Sequence, residues 1–296
     1  MSSQFKKIAV LMGGPSAERE VSLRSGAAVA RGLREAGYEA TEVDVKDRKL
    51  RLPKDTEAVF IALHGEFGED GEVQKLLEQR GIPYTGSNPE ASKASFDKVL
   101  SKRIFDENGI STPKYEVLGK NGVRTLPLPV VVKPSSQGSS IGVHRVFEES
   151  EWSAAMGDAL SYDKEVIVEA YIKGRELTVG IVGTDAMPVI EVVAPDDWYS
   201  YQAKYTKGET KYLVPAPIDA ETAAKCQELA LRTFKALGCR GLARVDIRMS
   251  GDGGLYVLEL NNIPGFTETS LLPKAASQSG LSFSALCDRI IKTIEC

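Results

Sequence analysis

The chain has 296 residues, enough for two or three domains, and its 42% hydrophobic and 26% charged content is ordinary for a globular protein. A net charge of −4 gives no global attraction for nucleic acid or an anionic membrane, so neither is an expected partner, and any anionic ligand must be held by local cations. Cys226, Cys239, Cys287 and Cys296 are scattered without metal-ligand spacing, and His64 and His144 are the only histidines. This excludes a histidine-rich metal site and reads as small buried thiols in a reducing cytoplasm.

The opening "MSSQFKKIAVLMGG" has an apolar run too short for a signal-peptide core, and no apolar stretch reaches membrane-spanning length. "KIAVLM" predicts a buried strand, "SAEREVSLRSGAAVARGLREAG" a helix, and "EATEVDV" and "EAVFIALHG" two more strands. "GEVQKLLEQRG" reads as a short helix and "IPYTG" as a short extended piece. This alternation implies a parallel sheet with helices on its faces, the first domain, over residues 1–87. From 88 to 172 a small α+β unit is expected. One helix, "SKASFDKVLSKRIFDENG", is followed by "STPKYEVL", "LPVVVKP", "SIGVHRVF", a helix near 149–160 and "EVIVEAYI". From 173 to 296 the strands lengthen. "RELTVGIV" and "AMPVIEVV" precede a long polar segment. A helix at 220–237 buries Cys226, Ala230, Phe234 and Leu237, and a hairpin turns at "SGDGG" before the amphipathic tail "LSFSALCDRIIKTIE". The expected fold class is thus α/β plus α+β.

The late hairpin carries the strongest chemistry. Side chains alternate across a strand, so Arg244 and Asp246 share one face of "ARVDI", and Val257, Glu259 and Asn261 share one face of "YVLELN". A turn near residue 252 sets Asp246 opposite Glu259. Two carboxylates and an amide oxygen form an all-oxygen site that suits Mg²⁺ better than zinc. The competing reading is an ion-pair network on a solvated sheet face. The following "NNIPGFTETSLLP" sets a Pro-Gly turn and hydroxyl residues at a helix start, where backbone N–H groups meet anions.

In "VVVKPSSQGSSIGV", Lys133 closes a buried strand and opens onto a Ser/Gly loop. A P-loop has its lysine after the last glycine, whereas here the lysine comes first and the chain continues into another strand. The expectation is a hairpin lid over phosphates, with Lys98 nearby; the competing reading is a flexible serine-rich turn. Glu169 ends an apolar strand in "VIVEAYI"; such a strand before a domain junction can present backbone groups to a flat base, and the competing reading of Glu169 is a solvated strand-end carboxylate. "LMGGPSAEREVS" lacks the GxGxxG fingerprint, and the later Asp44 adds little to a dinucleotide reading. Glu18 falls in the first helical turn, favoured there by the dipole, or it binds an ammonium at a cleft floor. His64 stands at the carboxyl end of a buried strand, where α/β sheets bind ligands, or is a hydrogen-bonded buried histidine. His144 is taken as structural, in mid-strand.

With these residues in place, the segments "GGPSAEREVS", "ALHGEFGEDG", "IPYTGS", "SFDKVLSK", "VVKPSSQGSSIGV", "GRELTV", "YSYQAKY", "LGCRGLARVDI", "LELNNIPGFTETSL" and "GLSF" occur in the order found in the D-alanine:D-alanine ligase family of ATP-grasp enzymes. The resemblance covers essentially the whole chain. It implies three domains with ATP held between the last two. It places Lys98 and Lys133 on the phosphates, Glu169 and the backbone of Ala170, Tyr171 and Ile172 at the adenine, and Glu176 at the ribose. It further implies two Mg²⁺ (or Mn²⁺) on Asp246, Glu259 and Asn261. Lys204 and Tyr205 fall in a second closing loop, and Glu18, Ser139 and Tyr205 form a linked triad. Glu18 would hold the ammonium of the first D-alanine beside His64. Ser270 and the Leu271 N–H would hold the carboxylate of the second, and Arg244 with the Gly265 N–H would meet the oxyanion. A D-alanyl phosphate intermediate, a role in peptidoglycan precursor synthesis and a homodimer are implied as well. The chain departs from the family at "NNIPGF", at Ser200 and Gln202 of the lid, and at "EAYI". Three alternatives stand beside this: the same chemistry with D-lactate or D-serine as acceptor, a nicotinamide-dependent oxidoreductase, and a catalytically dead ATP-binding protein.

Overall fold

The computed structural model describes residues 4–195 and 210–294, and among these three sheets carry the fold. In the first sheet β1 (Lys7–Gly13) lies between β2 (Glu39–Val45) and β3 (Ala58–Ile61), parallel to both. Ile8 to Gly13 are all buried, as an inner strand covered on both faces requires. The crossover is α1 (Arg19–Glu35), whose buried face is rich in Ser, Gly and Ala. Small residues bring this helix onto the sheet: a Cβ at Gly26 would fall 2.3 Å from the Cβ of Met12. α2 (Glu72–Glu78) follows, and a parallel bridge from Val59 to Tyr84 places the expected "IPYTG" piece against β3.

The single helix expected next is two helices, α3 (Pro89–Phe96) and α4 (Lys98–Glu107). They break at Asp97, whose backbone is extended and whose carboxylate accepts hydrogen bonds from the Val99 and Leu100 N–H groups at 3.0 and 3.1 Å. A side-chain oxygen in that position is an N-cap, so Asp97 starts a new helix within an otherwise continuous helical pattern. The break makes Lys98 the first residue of α4, where its own N–H meets the Ser135 carbonyl.

The second sheet is antiparallel, in the order β4 (Tyr115–Gly119), β7 (Glu165–Ala170), β5 (Val130–Pro134), β6 (His144–Val146). α5 (Glu149–Tyr162) covers one face, packing Ala155, Met156 and Ala159 on Val130, Val132, Val146, Val166 and Val168. Alternation leaves Val131, Lys133 and Glu169 on the opposite face. His144 proves to be the first residue of β6 rather than a mid-strand residue, with its Nε2 hydrogen-bonded to the Asp158 carboxylate at 2.7 Å.

The third sheet runs β11 (Lys211–Leu213), β10 (Ile190–Val193), β8 (Gly174–Val182), β12 (Leu242–Ser250), β13 (Leu255–Asn261), with β9 (Asp185–Ala186) on β8. α6 (Ala220–Ala236) covers one face through Cys226, Leu229, Ala230 and Phe234. α7 (Leu271–Gln278) and α8 (Phe283–Ile291) fill the space between this sheet and the first. Leu272, Ala276, Leu286 and Ile290 share one core with Ile8, Val29 and Phe60.

Asp246 faces Glu259 across β12 and β13, as the hairpin turn predicts. One part of that expectation fails. The register shifts between Asp246 and Ile247, so that Ile247 pairs with Val257 and Leu258 has no partner. This bulge turns Val257 into the core with Leu260 and leaves Leu258 and Glu259 together on the cleft side. Bulges recur next to functional sites because they re-aim a side chain in this way. No helix among the described residues is long and apolar enough to cross a membrane.

Candidate active site

Two cavities open between the sheets, and they meet. The smaller is a slot with apolar walls of Pro113, Val131, Ile172 and Leu258, bordered by the backbone-rich segment Ala170–Ile172. Glu176 and Arg248 stand at its edge, joined at 3.0 Å, and Arg248 also donates to the Ile172 carbonyl at 3.1 Å. A flat slot with a few fixed polar groups suits a heteroaromatic base. The larger cavity runs from Glu18 and His64, beside the first sheet, to Arg244 of the third sheet and to Gly265 and Ser270 beyond it. Lys98, Gln137, Gly138, Ser139 and Glu259 border both.

The lysines lie at this junction. Lys98 donates to the Gln137 carbonyl at 2.7 Å and stands 3.5 Å from Glu259. Lys133 pairs with Glu169, whose second oxygen is 2.5 Å from Lys102. Glu169 is only 2% exposed, which overturns the solvated reading of it. Burial opposes its charge, but the two lysines outweigh burial and hold the carboxyl below its ordinary range. Burial also opposes the charge on Lys133; there the attraction of Glu169, with Glu259 and Glu176, wins and raises it. For Lys102 burial wins and its pKa is lowered. Lys102 also donates to Thr112, and both approach the Val257 carbonyl. Sequence reasoning missed Lys102. It lies four residues after Lys98 in a helix of mixed charge, and nothing in that spacing distinguishes a buried lysine from a solvated one.

The loop from Ser135 to Val143 joins antiparallel strands, so it is a hairpin loop and not a strand-to-helix cradle. It is pinned at several points. The Ser136 N–H donates to Asp163 at 2.8 Å, Lys98 holds the Gln137 carbonyl, and the Ser139 hydroxyl donates to the Glu18 carboxylate. Ser139 and Ser140 have φ of 52° and 59°, left-handed values that side chains other than glycine's seldom adopt. Gly138 lies close to the same carboxylate: a Cβ there would fall 2.8 Å from Glu18 Oε2. Glu18 itself sits one residue before α1 and makes no capping bond, so its carboxylate serves the loop and not the helix. Lys204, Tyr205, Ser200 and Gln202 lie outside the described residues.

His64 is 3% exposed. Its Nδ1 is 3.0 Å from the Ile263 carbonyl, which can only accept, so Nδ1 donates there, and Nε2 is hydrogen-bonded to the Ser25 hydroxyl at 3.0 Å. The histidine is therefore both hydrogen-bonded in the interior and part of the cavity wall. Beside it, 3.6 Å from Nδ1, stands Glu69, a second carboxylate that sequence reading passed over because Glu66 and Asp70 make the stretch look solvated. Burial pushes the Glu69 carboxyl up, and the charge of Glu18 adds to the shift. The folded pKa thus exceeds the unfolded value of about 4.3, and stability falls as pH rises above that point. Glu69→Gln removes the ionisation. Its melting temperature should match the parent near pH 4 and exceed it increasingly toward neutrality; a constant offset across that range would contradict the assignment.

Arg244 makes a two-pronged contact with Asp246, at 2.8 and 2.7 Å, and Thr178 donates to the same carboxylate at 2.7 Å. Arg244 faces Asn261, as Asp246 faces Glu259, so the structure brings these four together. Among the described residues no group of three or more His, Cys, Asp or Glu stands ready for a metal. The donor set that remains, two facing carboxylates and an amide, is all oxygen and fits a hard divalent cation. Asn262 and Ile263 do more than shape a wall beside these groups. Asn262 is buried and donates to the Glu69 carbonyl at 3.0 Å, while Ile263 enters the core of the first sheet. Ser270 is the N-cap of α7, and Leu271 is its first residue, whose N–H has no intrahelical acceptor. Ser270 Oγ accepts from the Thr267 N–H at 2.9 Å and lies beside Gly265.

The Gly-Gly turn after β1 does not form a dinucleotide site. Asp44 is held by Arg19 at 2.8 Å, and a Cβ at Gly13 would strike both residues at 2.4 Å. Cys226, Cys239 and Cys287 are buried and free, with burial raising all three thiols, Cys226 to about 11 and Cys287 to about 12. Cys296 lies outside the described residues.

An antiparallel sheet with its pinned loop, facing a second antiparallel sheet across a slot edged with lysines and carboxylates, is the ATP-grasp arrangement. Comparison with known proteins agrees. The family model described as D-ala D-ala ligase C-terminus matches residues 104–292, and the one described as D-ala D-ala ligase N-terminus matches residues 45–87. The chain is 50% identical to a D-alanine–D-alanine ligase of Syntrophotalea carbinolica, covering 97% of this chain and 96% of the relative. The crystal structure of a D-alanine–D-alanine ligase from Bacillus anthracis complexed with ATP superposes with a TM-score of 0.86 at 35% identity, over 98% of this chain and 97% of that one. The VanG D-Ala:D-Ser ligase of Enterococcus faecalis gives 0.87 at 32% identity, over 98% and 99%. The chain belongs to the D-alanine–D-alanine ligase family.

Proposed function

We propose that the enzyme joins two D-alanines to D-alanyl-D-alanine with hydrolysis of ATP to ADP and phosphate, through a D-alanyl phosphate. The supporting observation is the junction of the two cavities: the groups that edge the slot, Lys98, Glu259 and the Ser139 loop, also edge the larger space beside Glu18. A phosphoryl group at the end of the slot therefore adjoins the space in which a carboxylate substrate would lie.

A carboxylate does not condense with an amine at neutral pH because its oxygen leaves poorly. In the reading offered here the base sits in the slot, against the backbone of Ala170–Ile172 with Glu169 behind it, and the ribose meets Glu176. Lys98 and Lys133 neutralise the phosphates. Glu18, beside His64 and Glu69, holds the ammonium of the first D-alanine. One of that substrate's carboxylate oxygens attacks the γ-phosphorus and ADP leaves. The amine of the second D-alanine, its carboxylate at Ser270 and the Leu271 N–H, attacks the acyl carbon. Arg244 and the Gly265 N–H meet the oxyanion, phosphate departs, and the nitrogen gives up a proton. Two Mg²⁺ (or Mn²⁺) held by Asp246, Glu259 and Asn261 would neutralise the charge that develops between phosphoryl oxygens. The Ser139–Glu18 bond links the cover over the phosphates to the donor subsite, with Lys204 and Tyr205 as further members of the closure. A cytoplasmic homodimer supplying peptidoglycan precursors is the corresponding cellular reading.

ADP release with D-alanine, L-alanine, D-serine and D-lactate, followed by product mass, tests this directly. D-alanine-dependent release and a D-alanyl-D-alanine product are expected; release only with D-serine or D-lactate as second substrate would move the acceptor assignment. Glu18→Gln should lower kcat/KM for D-alanine by about 10–100-fold, the range of a lost hydrogen bond to a charged group, while ATP still binds. Unchanged turnover would remove Glu18 from the donor subsite.

A further inference from the structure

Lys274 has no part in the reaction as described above. It lies four residues after Ser270, and residues four apart share a helix face. That face borders the larger cavity, where Lys274 stands with Ser270, Leu271 and Tyr212. The ammonium lies 4.4 Å from the centroid of the Tyr212 ring. Its aromatic contact orients the cation and leaves its charge intact. Among the described residues, the cavity's other cations are engaged: Arg244 with Asp246, Lys98 with Gln137 and Glu259, and Arg24 with the Glu20 carbonyl.

The position is also electrostatically unusual. The first turn of a helix favours carboxylates, and α7 has none there. A lysine at the end of that turn adds positive charge to N–H groups that already lack acceptors. The result is a cationic spot, with Tyr212 as its apolar support, which an incoming anion would relieve. Partial burial lowers the pKa of Lys274, the direction expected where the charge lacks full solvation.

We propose that Lys274 is a specificity-determining residue: its ammonium reads the carboxylate of the acceptor amino acid, together with the Ser270 hydroxyl and the Leu271 N–H. This rests on the ligase reading of the site. Selection for an acceptor with a free carboxylate would then come from a charge as well as from a helix end, and neutral analogues that keep the attacking amine would be rejected at this lysine.

The test is a competition between D-alanine and D-alaninamide as acceptors at equal concentration, with the ratio of D-alanyl-D-alanine to D-alanyl-D-alaninamide read by mass spectrometry. Lys274→Met should lower that ratio by about tenfold, the size of one charge-assisted contact, and should leave the KM for ATP unchanged. Lys274→Glu should lower it further. Lys274→Gln, closer in polarity, should behave as Lys274→Met does, and keeps the test open if the methionine variant folds poorly. An unchanged ratio in folded variants, or a changed ATP KM with an unchanged ratio, would overturn the assignment. A parent enzyme that makes no dipeptide from D-alanine would instead overturn the reading of the whole site.

Discussion

Replacing Glu169 by glutamine should destabilise the protein by about 3–5 kcal/mol, the usual result of removing one partner from a buried ion pair. The carboxylate is 2% exposed and shared by Lys102 and Lys133, so the isosteric amide takes from both ammonium groups their contacting counter-charge and leaves only the weaker attraction of Glu259 and, for Lys133, Glu176. The cost has a ceiling, because one lysine can lose its proton instead. Lys102 is the candidate, since burial already lowers its pKa in the intact triad. Without Glu169 the folded state would bind fewer protons than the unfolded one, and stability then rises with pH. Denaturant unfolding of Glu169→Gln should therefore show a deficit that shrinks between neutral and alkaline pH. A loss below about 1 kcal/mol, or one independent of pH, would mean that the triad does not carry the charge balance assigned to it. The same variant should bind ATP weakly, because Lys133 would no longer be positioned by its partner.

Arg244→Met should slow dipeptide formation by about 10²–10³-fold, the range for removing one oxyanion-stabilising donor. Its place is set by the fork to Asp246, so lysine should restore little: it keeps the charge but not the two-pronged geometry. The reaction has two halves, and the proposal concerns the second. Positional isotope exchange between the β–γ bridge and the β non-bridge oxygens of ATP reports D-alanyl phosphate formation alone. That exchange should continue in Arg244→Met while ligation falls. If both fall together, the arginine acts on phosphoryl transfer through Asp246 and not on the oxyanion.

How far the sequence carried depended on whether a signal was local. Alternation placed Asp246 opposite Glu259 correctly, because strand periodicity and turn position are properties of a short segment. It misplaced Val257, because strict alternation does not register the bulge at Leu258, where the pairing of the two strands shifts by one residue. The expected helix from Ser92 onward became two because Asp97 caps the second, a competition that periodicity does not register. Lys102 and Glu69 were invisible for one shared reason. A charged residue in a polar-looking stretch reads as solvated, and only the fold reveals that Lys102 is buried against Glu169 from a distant segment and that Glu69 is buried beside His64 of its own loop. The order of the long motifs identified the family, yet it was silent on Asn262 and Ile263, whose partners lie about two hundred residues earlier in the chain.

The Asn262–Ile263 contacts have a mechanical corollary. Together with the core shared by α1, α7 and α8, they weld the first and third sheets into one block, whereas the second sheet has a core of its own residues alone. Opening and closing would then divide unequally. Asp246, Glu259, His64 and Ser270 would form the stationary anvil, and the Lys133 sheet with its serine loop the single jaw that rocks against it. The small Asn262–Ile263 latch would thereby decide which half of the enzyme stays still.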